Sequence, residues 1–398
     1  MDLLAGNRRP VMILTILIYV YFVSQSLILT ATGALLPHIM ETFRMTPTQV
    51  GLLGSLTALG SLTAALTGTI ISDRVGKHRI LVFSAVLGGL GTLAAALASA
   101  LAPFLTTSLL RGTGFGLYNL SGNALVADMH RYRRGLYVSL LHTLFATGAL
   151  AGPLVATSFL ARGGTWSKLF LVVAAVQIVV SVFFAASVRL VPVPVLPAAT
   201  AASAGAAPWR VLLPISLGMA FYTASQMIMT TWLPTYLSGR DILPQAAANT
   251  ALSVFWLGMV GGRLATAWIS DHLEGRSVLM VMVGAGTLFT AVSAATTAPV
   301  VIFAAVLLAG LFTGGIWPQA LAHAYGLLPH ATGRVTGAIT VAGGLAGIAL
   351  PLVAGAVVEW TGLRGALLTG LVYLAIAAVS FAFLPRHNPA RTRLAEAT

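Results

Sequence analysis

Apolar residues gather in runs of about twenty, each broken by a short polar or Gly/Pro-containing stretch. Twelve such runs are centred near residues 22, 60, 89, 115, 147, 177, 222, 259, 287, 311, 344 and 374. A helix of that length spans the hydrocarbon core of a bilayer, so the pattern predicts an all-α membrane protein with twelve transmembrane helices. The first run is too long, and too poor in cleavage-site character, to read as a removable signal peptide.

Composition agrees with lipid as the solvent. The chain is 58% hydrophobic and 8% charged, with a mean hydropathy of +0.92, whereas soluble domains carry roughly 25% charged residues. With no cysteine, disulfides and thiolate metal sites are excluded. His, Asp and Glu show no metal-ligand spacing, and no nucleophile has a nearby partner, so no metal, cofactor or enzymatic activity is expected. The "GTGFG" at residues 112–116 lies inside an apolar run with no strand before it and is not a phosphate loop.

The net charge of +13 changes meaning once it is placed on the topology. With the N-terminus cytoplasmic and the segments alternating, fifteen Lys/Arg fall on the cytoplasmic side and five outside. This positive-inside bias puts both termini in the cytoplasm of a multi-pass protein of the cell membrane. The charge then serves topology and anionic lipid head groups, and no nucleic-acid partner is implied.

The chain also repeats itself. "ISD" begins at Ile71 and again at Ile269, "PLVA" at Pro153 and Pro351, and Gly112, Gly116 and Gly164 meet Gly310, Gly314 and Gly362, all 198 residues apart. One fixed offset over four places signals a duplicated six-helix unit, an organisation common in secondary transporters. Between the halves, a Pro- and Ala-rich stretch cannot continue a helix and suits a linker. The expected division is residues 1–188 as one bundle, 189–208 as a cytoplasmic linker and 209–398 as the second bundle.

"TIISDRVGKHRIL", from Thr69, resembles the cytoplasmic signature of the major facilitator superfamily, G-x-x-x-D-R-x-G-R-R. Asp73, Arg74, Gly76 and Lys77 match it, while Thr69 and His78 replace its first Gly and last Arg. The second copy keeps Asp271 and, shifted by one, Gly275, with His272 in place of the basic residue. The resemblance covers the whole chain and implies the major facilitator fold, two pseudo-symmetric six-helix bundles working by alternating access. It makes Asp73, Arg74, Gly76, Lys77 and Asp271 gate residues. A carboxylate at a helix end can also cap a neighbouring helix dipole, and the basic residues read equally as topological anchors.

In such a fold the first, fourth, seventh and tenth helices line the pathway. "YFVSQ" from Tyr21 and "YTASQ" from Tyr222 place Tyr21 with Gln25, and Tyr222 with Gln226, on single helical faces. Polar pairs at that depth contact either a solute or another helix. Asn119 and Asn123 share a face of the fourth run, and the tenth carries Trp317, Gln319 and His323 around Pro318. Arg111 and Arg263 lie within apolar runs, where a charge costs about 2.5 kcal/mol or more and is a functional candidate. Arg263 reads as an anion clamp or as part of a gate network with Asp271. By resemblance it is similar to the substrate-binding arginine of oxalate and monocarboxylate transporters. Arg111 and His142 are secondary candidates for anion binding or proton coupling.

Every one of the nine acids lies in a loop or at a helix end, so the buried carboxylates of proton-coupled carriers have no counterpart. "LLHTLFATGALAGPL", "TWLPTYL" and "FWLGMVGGRL" resemble the fucose-permease-like sugar branch, but that branch's carboxylate positions fall on Gly33 and Asn119. "GALAGPL" is similar to the antiporter motif of drug exporters, with Leu154 and Val155 where later glycines stand. The expected function is transport, as a monomer, of a small polar solute, either sugar-like or an organic anion. Efflux of neutral or anionic drug-like compounds is the alternative. A receptor or scaffold without transport would need neither linker nor paired gate motifs.

Overall fold

The computed structural model describes residues 8–190, 209–269, 273–328 and 331–386. Within them fourteen α-helices follow one another: α1 (Arg8–Ala34), α2 (Leu36–Phe43), α3 (Pro47–Val75), α4 (Lys77–Ala96), α5 (Leu101–Met129), α6 (Arg134–Ala161), α7 (Trp166–Leu190), α8 (Trp209–Gly239), α9 (Gln245–Ile269), α10 (Gly275–Ala295), α11 (Pro299–Gly314), α12 (Ile316–Leu327), α13 (Thr332–Thr361) and α14 (Arg364–Ala382). The first and tenth apolar runs are each interrupted once. Leu35, just ahead of Pro37, divides α1 from α2, and Gly315, just ahead of Pro318, divides α11 from α12. A proline removes a backbone donor and clashes one turn back, so the break falls there.

Ten helical segments are long and apolar enough to cross a membrane. The two long helices outside that group are α5 and α9, of 29 and 25 residues. They are also the two that carry Arg111 and Arg263. Arginine, Asn and Gly dilute their apolar character at the depth where a lipid-facing helix would carry Leu or Val.

The helices separate into two compact units, Met1–Met45 with Leu52–Thr200, and Thr46–Gly51 with Ala201–Thr398. The first turn of α3 therefore groups with the second unit. The expected linker lies outside the described residues, apart from Arg189 and Leu190 at the end of α7.

Within the first unit α4 packs on α5 and α7, and α1 on α6 and α7. Within the second, α10 packs on α11 and α14, and α8 on α13 and α14. These pairings correspond one for one. The duplication reaches atomic detail at a glycine seam. A Cβ on Gly112 or Gly116 would collide with the carbonyl of Thr57 or Ser61, and one on Gly310 or Gly314 with that of Phe255 or Met259. Gly60 meets the Leu109 carbonyl as Gly258 meets that of Leu307. Each residue and its contact are displaced by the same 198 positions. Small residues let helix backbones touch in lipid, where association depends on close packing.

Candidate functional site

The gate signature is built around one backbone requirement. Gly76 sits between α3 and α4 at φ 91°, ψ 140°, a region costly for any side chain. Lys77 then opens α4 and its Nζ lies 2.6 Å from Asp128 Oδ2 on the last turn of α5. Arg74 is exposed at the end of α3. Asp73 lies in the last turn of α3, its side chain outside the described set, and Asp271 falls outside the described residues altogether. The second half does not repeat the Gly76 device. At the position equivalent to Gly76, Glu274 caps α10, accepting from the backbone N–H groups of Arg276 at 3.0 Å and Ser277 at 2.8 Å. Gly275 has no left-handed conformation and instead leaves room for the His323 ring.

In the first unit the polar pair of α1 turns inward on its own bundle. The Tyr21 hydroxyl donates to the Ala85 carbonyl at 2.8 Å, Gln25 Nε2 donates to Tyr21 Oη at 3.2 Å, and Gln177 Nε2 reaches Gln25 Oε1 at 3.5 Å. Gly88 provides the space, since a Cβ there would strike Tyr21 Oη and Gln25 Nε2. Tyr21 is wholly buried and Gln25 nearly so, between α1, α4 and α7. Of the two contacts open to such a pair, solute or another helix, the described ones are with α4 and α7. A shared helical face shows that two residues point together, not which neighbour they meet. Gln177, fully buried and absent from the sequence reading, closes this network. Its only signal was a lone amide in the apolar stretch "VVAAVQIVV".

The remaining first-unit candidates are scattered. Asn123 Nδ2 donates to Asn119 Oδ1 at 2.9 Å and to the Asn119 carbonyl at 2.8 Å, and both side chains keep partial exposure. His142 is exposed, edge-on to Phe22 with ring centroids 6.0 Å apart. Arg111 lies over the face of Phe170, 5.2 Å from its centroid, with its stem against Gly91. Its charge is directed at an aromatic quadrupole.

The second unit uses the same Tyr-x-x-x-Gln pair differently. On α8 the Tyr222 hydroxyl and the Gln226 amide make no side-chain hydrogen bond among the described residues, although Tyr222 is buried and Gln226 half-buried. On α9 the half-buried Arg263 acts electrostatically on the Tyr222 hydroxyl. Arg263 has neither an acidic nor a hydrogen-bonding partner among the described residues. Of the tenth-run candidates, Trp317 is exposed. Gln319 is buried, and its Oε1 has no hydrogen-bond partner among the described residues.

Among the described residues no acid stands beside these groups. Asp128 and Glu359 sit near the ends of α5 and α13, Asp241 lies in the loop after α8, and Glu274 caps α10. No group of three or more His, Asp or Glu could hold a metal among the described residues.

Comparison with known proteins is consistent along the chain. The family model described as Major Facilitator Superfamily matches residues 13–300 and 243–398. A relative in Escherichia coli (strain K12), the "3-(3-hydroxy-phenyl)propionate transporter", is 28% identical over 354 residues, 83% of each chain. The "Probable 4-methylmuconolactone transporter" of Cupriavidus pinatubonensis is 27% identical over 260 residues, 62% of this chain and 60% of its own. The solved structure of the nucleoside transporter NupG superposes with a TM-score of 0.79 at 14% identity, over 95% of this chain and 100% of that one. Two compact helical units, ten segments of membrane-spanning length among the described residues, a glycine seam repeated at one offset and a match along almost the whole sequence lead to one conclusion: this multi-pass membrane protein belongs to the Major Facilitator Superfamily of secondary transporters and is not an enzyme.

Proposed function

We propose that this transporter moves a small organic anion across the cytoplasmic membrane by alternating access, with Arg263, Tyr222 and Gln226 as its anion-binding group. The observation that carries the reading is Arg263. A guanidinium held within an apolar helix, acting on a tyrosine hydroxyl and without an acidic partner among the described residues, is completed by an anion. Its planar fork matches a carboxylate bidentately. A neutral sugar would leave that charge uncompensated, and a cationic drug would be repelled. The name of the Escherichia coli relative, the "3-(3-hydroxy-phenyl)propionate transporter", an aromatic monoacid carrier, supports the same class. Both termini lie in the cytoplasm, the protein works as a monomer, and the turn at Asp73–Lys77 serves as the cytoplasmic gate.

Counterflow in proteoliposomes tests this. Wild type and Arg263→Gln are compared on monocarboxylates, dicarboxylates, neutral sugars and neutral lactones. The expected result is carboxylate counterflow that falls at least tenfold in the variant, the equivalent of about 1.4 kcal/mol or more. Sugar counterflow that survives the substitution, without any carboxylate exchange, sinks the proposal.

A further inference from the structure

The Arg263 face of α9 continues beyond the arginine. Trp256 lies seven residues earlier and Ser253 three residues before that. At 3.6 residues per turn, Arg263 and Trp256 fall on one stripe, and Ser253 adjoins Trp256 at i, i+3. A neighbouring stripe, about a quarter turn away, is accounted for, since Phe255, Gly258, Met259 and Gly262 meet α11. Trp256 is therefore carried on the side that brings Arg263 to Tyr222. Trp256 is 3% exposed and Ser253 4%, yet Trp256 Nε1 and Ser253 Oγ are buried without a hydrogen-bond partner among the described residues. Leaving such groups unpaired is costly in a packed interior. The facing helix has a matching order. α8 and α9 are joined by a short loop and run antiparallel, so Gln226 is displaced from Tyr222 in the direction that Trp256 is displaced from Arg263.

We propose that Trp256 and Ser253 form a second pole of the same site, which recognises a hydroxyl carried at the far end of the transported anion. The inference rests on the anion reading above and narrows it to hydroxylated monocarboxylates. A hydroxyl satisfies both groups at once, accepting from the indole N–H and donating to the serine oxygen. An unsubstituted acid leaves both unpaired, and a second carboxylate brings a charge with no cation to meet it. Two helical turns separate Arg263 from Trp256 by about 10 Å along α9. Allowing about 3 Å for a hydrogen bond at each end, the carboxylate and hydroxyl are separated by roughly 5–10 Å. That is the length of a short ω-hydroxy acid or a ring-hydroxylated aryl acid. Gln226, between the two levels, is free to bond either end.

The test is ligand-induced thermal stabilisation of the purified full chain, titrated with acids that differ only in a hydroxyl. Suitable pairs are hexanoate with ω-hydroxyhexanoate and phenylacetate with para-hydroxyphenylacetate. Wild type is expected to bind the hydroxylated member about three- to tenfold more tightly. Trp256→Phe, which keeps an aromatic ring and removes the N–H, is expected to equalise the pair while still binding the unsubstituted acid. Ser253→Ala is expected to reduce the preference by itself, and it decides the matter should Trp256→Phe fail to fold. Equal binding by wild type, or a preference that survives both substitutions, overturns the second pole and leaves the anion site standing. Failure of wild type to bind either member of any pair, with no effect of Arg263→Gln, overturns the anion reading and this inference with it.

Discussion

Lys77 Nζ lies 2.6 Å from Asp128 Oδ2 and ties the first residue of α4 to the last turn of α5. Both side chains keep partial exposure, 32% and 22%, so the pair is screened and contributes modestly, about 0–1 kcal/mol. Its value is therefore positional, holding the helix that the Gly76 turn begins. Asp128→Asn should lower the melting temperature of purified protein only slightly while reducing transport. The exchange of Lys77→Asp with Asp128→Lys should recover more transport than either single change. Equal loss in the double and single variants would remove the ion pair from the account.

The glycine seam predicts a matched set of stability effects. Gly112→Ala and Gly310→Ala would push a Cβ against the backbone carbonyls of Thr57 and Phe255. Backbone cannot rotate aside, so each should cost about 1–3 kcal/mol, as overpacking does. Gly135 and Gly333, also 198 residues apart, have nothing within 4 Å of an added Cβ. Alanine at those helical positions should be neutral or stabilising by up to about 1 kcal/mol. Thermal unfolding in detergent distinguishes the two sets.

Tyr21→Phe and Tyr222→Phe should separate packing from solute contact. The first strips the Ala85 carbonyl and the Gln25 amide of a buried partner and should destabilise by about 1–3 kcal/mol, with KM little changed. The second removes a hydroxyl that no described residue hydrogen-bonds, so stability should hold and KM for the anion should rise. The reverse pattern in melting curves and counterflow would place the site in the first unit.

A pH effect on stability is expected from His130, which caps the C-terminal end of α5. Its Nε2 shares a hydrogen bond of 2.8 Å with Thr15 Oγ1, and its ring stacks on Tyr137 at 3.5 Å. Burial holds its pKa below 6.5. A depressed histidine pKa means that the unfolded chain takes up the proton first as pH falls. The stability it contributes is therefore complete above 6.5 and is lost as pH falls through the folded-state value. Melting temperatures measured from neutral pH to roughly pH 5 should fall more steeply in wild type than in His130→Gln.

Helical class and duplication were legible in the sequence, because a bilayer demands apolar runs of a set length and internal backbone hydrogen bonding. The same physics makes an intramembrane arginine conspicuous, and so Arg263 stood out. Asp128, Gln177 and Trp256 did not. A carboxylate at a helix end, a lone amide in an apolar run and a tryptophan in a hydrophobic helix are each common, and their partners lie on other helices.

Sequence by itself determined that Tyr21 and Gln25 share a face, and likewise Tyr222 and Gln226, since that follows from 3.6 residues per turn. Only the tertiary structure decided that the first pair is satisfied inside its bundle by Ala85 and Gln177, while the second makes no side-chain hydrogen bond among the described residues. The helical period fixes relative direction along one helix. The rotation of each helix about its axis is settled by which neighbours pack against it, and hydrogen-bond satisfaction depends on that rotation.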